Sequence, residues 1–144
     1  MKLLLAVIAL FTTTFLLVAA DAPGVTFVSH DKVGTALSKG GVLVTTPDLI
    51  VSGSFRDKAG QVEVHDIQTD TMYIIDGSAT FVTGGTMIGG KVTEPGQHLG
   101  TDIKGGQTHH LTKGDVIVIP AGTPHWFKEV PKTVSYYVVK VIKK

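Results

Sequence analysis

The chain has 144 residues, with 13 basic and 12 acidic side chains, and its formal charge is +1. This balanced charge, with no Lys/Arg cluster beyond Lys143 and Lys144, excludes the basic surface expected of a protein that binds nucleic acid or an anionic membrane. The chain has no cysteine, so disulfides, thiol catalysis and thiolate metal ligands are excluded, and any chemistry falls to acidic, imidazole and hydroxyl groups.

Residues 1–20 have the pattern of a secretory signal peptide. Lys2 supplies a positive start, Leu3 to Leu17 is a nearly unbroken apolar stretch, and the small residues of Val18-Ala19-Ala20 suit a cleavage site. We predict cleavage before Asp21, an exported protein located in the periplasm or outside the cell, and no stable membrane anchor after cleavage. An uncleaved membrane anchor is the alternative, because the apolar stretch is of marginal length.

Residues 21–144 are predicted to form one domain made of short strands. Segments rich in Val, Ile, Thr and Tyr alternate with turn residues, which is typical of an all-β sandwich or small barrel. One weak helical period appears around Lys32 to Lys39, and Asp76-Gly77 predicts a two-residue hairpin. The predicted strands are 41–46, 49–55, 61–65, 72–75, 79–83, 115–119, 125–129 and 133–142.

Glycines crowd residues 84–106. Two short strands, Thr86 to Ile88 and Lys91 to Thr93, are predicted inside this segment. We interpret the segment as a long excursion from the barrel that covers its mouth. The alternative is a plain surface hairpin and loop.

The segment from Gly114 to His125 predicts a strand, a rigid corner and a histidine at the start of the next strand. Val116 to Ile119 is a β-branched apolar run, Pro120 ends it, and Gly122 allows a tight turn. Such a stiff backbone would hold His125 in place, as a metal ligand requires. The alternative is a partly buried histidine without a ligand.

A second segment, earlier in the chain, carries further side chains of the metal-ligand type. Glu63 and His65 are two positions apart on a predicted strand, so their side chains leave the same face. Asp70 follows a short turn and begins the next strand, which returns toward His65. Together with His125, these oxygen and nitrogen donors suit Fe(II), Mn(II), Ni(II) or Zn(II). Alternatively, Glu63 faces solvent and Asp70 only caps its turn.

These two segments resemble the paired motifs of the cupin family. The family's second motif is matched at its two glycines, its proline and its histidine. The matching residues are Gly114, Gly122, Pro120 and His125, and Glu129 stands where the family has asparagine.

The family's first motif is matched less closely. Counting back from its final glycine, Gly77, puts Asp70 at the glutamate position, His65 at the second histidine and Glu63 at the first. Asp70 is one methylene shorter than the family's glutamate, so we expect it either to fall short of a metal or to reach it through water.

The resemblance covers about residues 41–141. It implies a single small β-barrel of the double-stranded β-helix, or jelly-roll, type. It also implies one divalent metal ion inside the barrel, either Fe, Mn, Ni or Zn, a small-molecule ligand or substrate, and a homodimer. The implied metal ligands are Glu63, His65, Asp70 and His125.

Strand parity places three apolar side chains near the predicted metal. Met72 and Ile74 share a face with Asp70, and Phe127 shares a face with His125. These three residues are therefore predicted to line an apolar ligand pocket. Ordinary core packing is the alternative for each of them.

Four other side chains are placed by their position relative to the predicted strands. Arg56 ends a strand near the site, where we expect a surface pair with a nearby Asp; holding an anionic substrate is the alternative. Trp126 has the opposite parity to the site and is expected to pack between sheets or at a subunit contact. His109 and His110 are expected to face solvent.

Three hypotheses of function follow. The first is a metal-dependent enzyme of the dioxygenase, isomerase or lyase type, acting on a small organic molecule by Lewis-acid or oxygen chemistry. In that case Glu63 or Asp70 acts as the base if it does not bind the metal. The second is a non-catalytic module that binds or senses a small molecule, and the third is a structural barrel whose site has decayed. The sequence identifies no separate catalytic acid or base.

Overall fold

The structure, a computed structural model, describes residues 24–144. The predicted signal peptide and its cleavage site therefore lie outside the described residues. Within them, no helix is long and apolar enough to cross a membrane. The elements are α1 (His30–Lys39), β1 (Gly41–Thr45), β2 (Leu49–Arg56), β3 (Val62–His65), β4 (Gln68–Thr83), β5 (Thr86–Ile88), β6 (Lys91–Glu94), β7 (Gln97–Gly100), β8 (Asp102–Lys104), β9 (Gln107–Thr112), β10 (Val116–Ile119), β11 (His125–Glu129) and β12 (Val134–Ile142).

Almost all of these strands belong to one curled antiparallel sheet. Its order is β1-β2-β12-β4-β11-β3-β7-β6, with β9 and β10 also paired to β4. The β4 strand is 16 residues long, and its two halves pair with different strands of the sheet. Its first half pairs with β10 and β12, and its second half pairs with β9 and β11. The all-β prediction is confirmed.

The hairpin predicted at Asp76-Gly77 is wrong, because β4 continues through it. Gly77 has a φ of +79° and remains the register partner of Val134 on β12. A Cβ at Gly77 would clash with the carbonyl oxygen of Thr133. Glycine is thus needed here for a close approach and a positive φ inside a bent strand, and not for a chain reversal.

The predicted helical segment forms α1, which packs on the outer face of β2. Ala36 is the buried residue of the helix. It sits directly over Gly53, where a Cβ would come within 2.7 Å of the Cβ of Ala36. The hydroxyl of Ser135 on β12 donates a hydrogen bond to the carbonyl oxygen of Leu37 at 3.0 Å. These contacts attach the helix to β2 and β12.

The Gly-rich segment extends the sheet. The predicted strands Thr86 to Ile88 and Lys91 to Thr93 are confirmed as β5 and β6. In addition β5 pairs with β8, and β7 joins β6 to β3 at one side of the sheet. The curled sheet encloses a cavity, and none of the described residues that line it comes from 84–106. The segment therefore does not form the predicted cover over that cavity.

The main core lies inside the curl of the sheet, next to the predicted site. Phe81 on β4 is fully buried, and its ring meets that of Phe127 on β11 edge-on, with centroids 4.6 Å apart. Phe127 in turn stacks on Tyr136 of β12 at 5.0 Å. This aromatic series fixes β11 against β4 and β12, and the His125 ring lies beside Phe81 at 6.1 Å.

Candidate metal centre

The four side chains predicted to bind metal lie close together inside the sheet, where Glu63, Asp70 and His125 line a cavity and His65 lies beside them. Glu63 and His65 lie on β3, Asp70 lies on β4, and His125 is the first residue of β11. The strands β11 and β3 pair with His125 opposite Glu63. The cavity at this level has a volume of about 200 Å³. His65, Asp70 and His125 are buried, and Glu63 is partly exposed.

The corner between β10 and β11 positions both histidines. The backbone N–H of Thr123 donates to the carbonyl oxygen of Pro120 at 3.1 Å, which closes the turn. The backbone N–H of Gly122 donates to the carbonyl oxygen of His65 at 2.7 Å. The turn that delivers His125 is thus bonded directly to the end of β3.

The tautomer of His125 follows from one hydrogen bond. Its Nδ1 lies 3.0 Å from the carbonyl oxygen of Thr123. A carbonyl oxygen only accepts, so Nδ1 carries the proton and Nε2 presents its lone pair to the cavity. Burial lowers the pKa of His125 and keeps the imidazole neutral. Among residues 24–144, no group forms a hydrogen bond with the buried Nε2.

His65 is held between two carboxylates. Its Nε2 lies 3.5 Å from Glu63 Oε2 and 3.5 Å from Asp70 Oδ2. Burial acts to lower the pKa of His65, but hydrogen bonding to Asp70 and Glu63 outweighs it and raises the pKa to about 9. The rings of His65 and His125 are 5.1 Å apart between centroids.

Three of the four predicted ligands form a group with metal-site spacing. One ligand atom from each of Glu63, His65 and His125 lies within 4.8 Å of the other two. Two imidazoles and a carboxylate are a donor set that divalent transition metals accept, and metal binding would displace the proton that His65 holds at its raised pKa. The unpartnered lone pair of His125 Nε2 fits such an ion, because a buried acceptor without a partner is otherwise unfavourable.

Asp70, the fourth predicted ligand, is engaged by a lysine. Lys140 Nζ lies 2.6 Å from Asp70 Oδ2, and the Asp70 side chain is only 2% exposed. Burial alone would raise the pKa of Asp70, but hydrogen bonding to His65 and the charge of Lys140 lower it, so the carboxylate is ionised. Its other oxygen, Oδ1, has no hydrogen-bond partner within the part of the chain that the structure describes.

Sequence reasoning missed Lys140, although strand parity could have found it. Lys140 lies on β12 and is the Cα register partner of Asp70 on β4. Tyr136 and Val138, which precede it at spacings of two, are buried. A lysine that continues an inward-facing series of alternate positions is the signal of a charged group directed into the barrel.

Lys140 also contacts His65, and this contact places one proton between two nitrogens. Lys140 Nζ lies 2.9 Å from His65 Nε2. The raised pKa of His65 favours a protonated imidazole, whereas two protonated nitrogens at this distance would repel. One of the two nitrogens therefore donates and the other accepts, and the contact holds Lys140 against Nε2 in either case. The carboxylates of Glu63 and Asp70 favour one positive charge at this point. This accounts for both the raised pKa of His65 and the close contact with Lys140.

Arg56 pairs with Glu63 across the cavity. Its Nη2 lies 3.3 Å from Glu63 Oε1, and its Nε donates to the Tyr136 hydroxyl at 3.1 Å. The guanidinium also stands over the Phe127 ring at 4.7 Å. The predicted pairing with a surface Asp is therefore wrong: the end of β2 directs Arg56 inward, where it lines the cavity.

The predicted apolar lining is present in part. Met72 and Phe127 line the cavity, whereas Ile74 is fully buried in the core and does not reach it. Ile74 belongs instead to the core cluster that includes Phe81 and Val134. The remaining lining residues are mostly polar: Ser52, Ser54, Arg56, Gln61, Tyr136, Val138 and Lys140, beside the ligand residues Glu63, Asp70 and His125.

Other singled-out side chains lie away from the cavity. Trp126 Nε1 donates to the carbonyl oxygen of Gly60 at 2.8 Å, and its ring packs against a second small core. His109 bonds Thr83 through Nε2 at 2.9 Å, and His110 is exposed. A larger groove of about 460 Å³ runs between α1 and β1 and is lined by none of the predicted ligands.

Three solved structures are similar to this chain in fold. BH2720 from Bacillus halodurans has a TM-score of 0.58 and 14% identity, covering 88% of this chain and 86% of its own. KdgF from a Halomonas species has a TM-score of 0.51 and 15% identity, covering 72% and 79%. The 11S globulin of Wrightia tinctoria, described with an auxin binding site, has a TM-score of 0.50 and 15% identity, covering 67% and 21%.

The sequence comparison gives the family. Among proteins of curated function, no sequence matches this chain significantly. The family model described as Cupin matches residues 61–143, which contain both histidines, both carboxylates and Lys140. The match spans more than half of the chain, and the curled antiparallel sheet is the double-stranded β-helix expected from the paired motifs. The chain belongs to the cupin family.

Proposed function

We propose that this protein is an exported cupin that binds a divalent metal ion through Glu63, His65 and His125 and acts on a small organic molecule. Asp70 is the fourth ligand in this proposal. When bound, the ion supplies a Lewis acid or an oxygen-activating centre to a carbonyl or hydroxyl group of the substrate. Fe, Mn, Ni and Zn all suit the oxygen and nitrogen donors.

One observation carries the proposal. His125 Nε2 is buried and has no hydrogen-bond partner among the described residues, and the ligand atoms of Glu63, His65 and His125 lie within 4.8 Å of one another. The Nδ1–H to Thr123 carbonyl bond holds the ring in the tautomer that metal-binding histidines use. A histidine that served only the core would be expected to use both ring nitrogens.

The cavity supports a small and polar substrate with negative charge. Its volume of about 200 Å³ is below that of pockets for drug-sized ligands, which begin at roughly 300 Å³. Arg56 and Lys140 line it, together with the hydroxyls of Ser52 and Ser54. Two cationic side chains and two hydroxyls suit a molecule with a carboxylate and neighbouring oxygen groups. In such a complex, Glu63 or Asp70 is the base if it is not bound to metal.

The test is metal binding by the purified protein and by single variants. We expect the wild type to bind about one Co²⁺ per chain, measured by calorimetry and by the visible spectrum of the bound ion. The variant H125A removes the unpartnered Nε2 and should abolish binding, whereas H110A, at an exposed histidine, should not. Equal binding by H125A and H110A would reject the proposed centre.

A second candidate function is supported by the position of Lys140. Its ammonium already contacts His65 and Asp70, so the barrel has an internal cation where metal would bind. A cupin with this arrangement can bind a small anion without metal, as a non-catalytic module. Binding of a small dicarboxylate such as malonate to metal-free protein, with no Co²⁺ binding by the wild type, would favour this candidate.

Export and self-association complete the proposal. Export is supported by the sequence pattern of residues 1–20, and is tested by locating the mature N-terminus in a fractionated culture. A homodimer is supported by an apolar outer face on β10, β4 and β12, where Val116, Val118, Tyr73 and Val141 are all about half-exposed or more. Light scattering tests it: the mass of one chain would contradict the dimer.

A further inference from the structure

Lys140 contacts two of the atoms that a metal would need. Its Nζ lies 2.9 Å from His65 Nε2 and 2.6 Å from Asp70 Oδ2. The lysine comes from β12, a strand that carries none of the other predicted ligands. Its side chain is 19% exposed, so it is buried enough to be held by these contacts and exposed enough to leave them.

The ammonium and a metal ion exclude each other at His65. Lys140 Nζ lies within hydrogen-bonding distance of His65 Nε2, so Lys140 engages this nitrogen whichever of the two carries the shared proton. His65 Nε2 is also the nitrogen that lies 3.5 Å from the carboxylates of Glu63 and Asp70, so it is the atom that His65 would offer to a metal beside them. A divalent cation next to an ammonium in a buried site would also be strongly repelled. His65 therefore binds one cation or the other.

Lys140 does not contact Glu63 or His125, so these two donors stay open to a metal while Lys140 is bonded to His65 and Asp70. Glu63 pairs with Arg56 from the other side, and His125 Nε2 has no partner within residues 24–144. The centre thus has two donor groups that Lys140 does not contact and two that it blocks. Withdrawal of the ammonium would free His65 Nε2 and Asp70 Oδ2 together.

We propose that Lys140 is a built-in competitor for the metal, which occupies His65 and Asp70 in the metal-free protein and must withdraw before all four donors can bind one ion. This inference rests on the proposed metal-binding function. Its consequence is that Lys140 lowers the affinity of the centre and keeps Asp70 neutralised when no metal is bound. The four-carbon stem of lysine gives the ammonium the freedom to swing into the cavity.

The test compares Co²⁺ affinity in variants of position 140, measured by calorimetric titration. K140M and K140Q lack the ammonium and should bind Co²⁺ roughly tenfold or more tightly than the wild type, because no competing state reduces the fraction of open sites. K140R keeps a cation and should bind no more tightly than the wild type. K91M, at an exposed lysine on β6, is the matched control and should leave the affinity unchanged.

A second readout is the melting temperature with and without Co²⁺. K140M leaves Asp70 buried without its cation, so Co²⁺ should raise the melting temperature of K140M by more than that of the wild type. K140Q retains a hydrogen-bond donor and serves as the better-folded variant should K140M fail to fold.

The possible outcomes distinguish a failure of the competitor proposal from a failure of the proposed metal site. Tighter Co²⁺ binding by K140M and K140Q than by the wild type would support the competitor. Binding by the wild type that is unchanged or weaker in K140M and K140Q would overturn it and leave the proposed metal site intact. Absence of Co²⁺ binding in every variant would overturn both.

Discussion

Lys140 and Asp70 face each other across adjacent antiparallel strands, and their charged groups meet at 2.6 Å inside the barrel. The Asp70 side chain is 2% exposed. An isolated carboxylate buried to this extent would be strongly unfavourable, and the adjacent ammonium offsets that cost. The centre of this cupin is therefore held together by a buried ion pair as well as by its histidines.

The first prediction concerns the stability of that pair. D70N leaves the ammonium without its carboxylate, and should lower the free energy of unfolding by about 3 kcal/mol in urea titrations. D66N is the matched control, because Asp66 is half-exposed and pairs with His98 at the surface, where a loss below about 1 kcal/mol is expected. Equal losses in the two variants would show that the ion pair does not stabilise the fold.

The second prediction concerns the loss of both charges of the Asp70–Lys140 pair. The double variant D70L/K140M replaces both charges by apolar side chains and leaves neither partner buried alone. It should recover most of the stability that D70N loses, although its metal affinity should be low because Asp70 is gone. Urea titration of D70L, K140M and D70L/K140M gives the coupling energy. A strictly additive loss would contradict direct pairing.

The third prediction concerns pH. The pKa of His125 is lowered in the fold by burial, so the unfolded chain takes up this proton first as the pH falls. The contribution of neutral His125 is fully present above the ordinary histidine value of about 6.5 and is lost as the pH falls from there toward the folded pKa. As the pH falls below about 6.5, the wild type should therefore lose more stability than H125Q. Parallel curves of unfolding free energy against pH would count against a neutral buried His125.

The fourth prediction concerns Gly77 and the course of β4. G77A places a Cβ against the backbone oxygen of Thr133, which accepts a hydrogen bond from the Ser78 N–H, and should lower the free energy of unfolding by about 3 kcal/mol or more. G84A has a similar φ of +75° but open space around it, so about 1 kcal/mol is expected from the backbone alone. Thermal unfolding compares the two. A similar effect in both variants would indicate that β4 does not pass beside Thr133.

The sequence predicted the fold and the strand that carries His125 because both depend on short-range patterns. The corner at Pro120 and Gly122 depends on the conformational preferences of those two residues. The β-branched runs indicate strands whatever strands they pair with. The hairpin at Asp76-Gly77 failed for a physical reason: a turn and a bent strand both use glycine at positive φ. Only the pairing of Gly77 with Val134 distinguishes them.

Lys140 and Arg56 show which part of the site could not be predicted locally. The partners of Lys140 are 70 and 75 residues away in the sequence, and its contact with Asp70 depends on the register of β12 against β4. Arg56 was placed near the site but assigned to the surface, because its bond to Tyr136 spans 80 residues. Long-range register, which sets these contacts, leaves little trace in a single sequence.

The most direct test of the metal centre is a crystal structure of the protein soaked with Zn²⁺, with the ion located by its anomalous scattering. We predict one ion inside the barrel, bound by His65 Nε2, His125 Nε2 and Glu63 at about 2.0–2.2 Å, with Lys140 Nζ withdrawn from His65. An ion found only at surface histidines such as His98 or His110, with Lys140 still bonded to His65 and Asp70, would contradict the proposed metal centre.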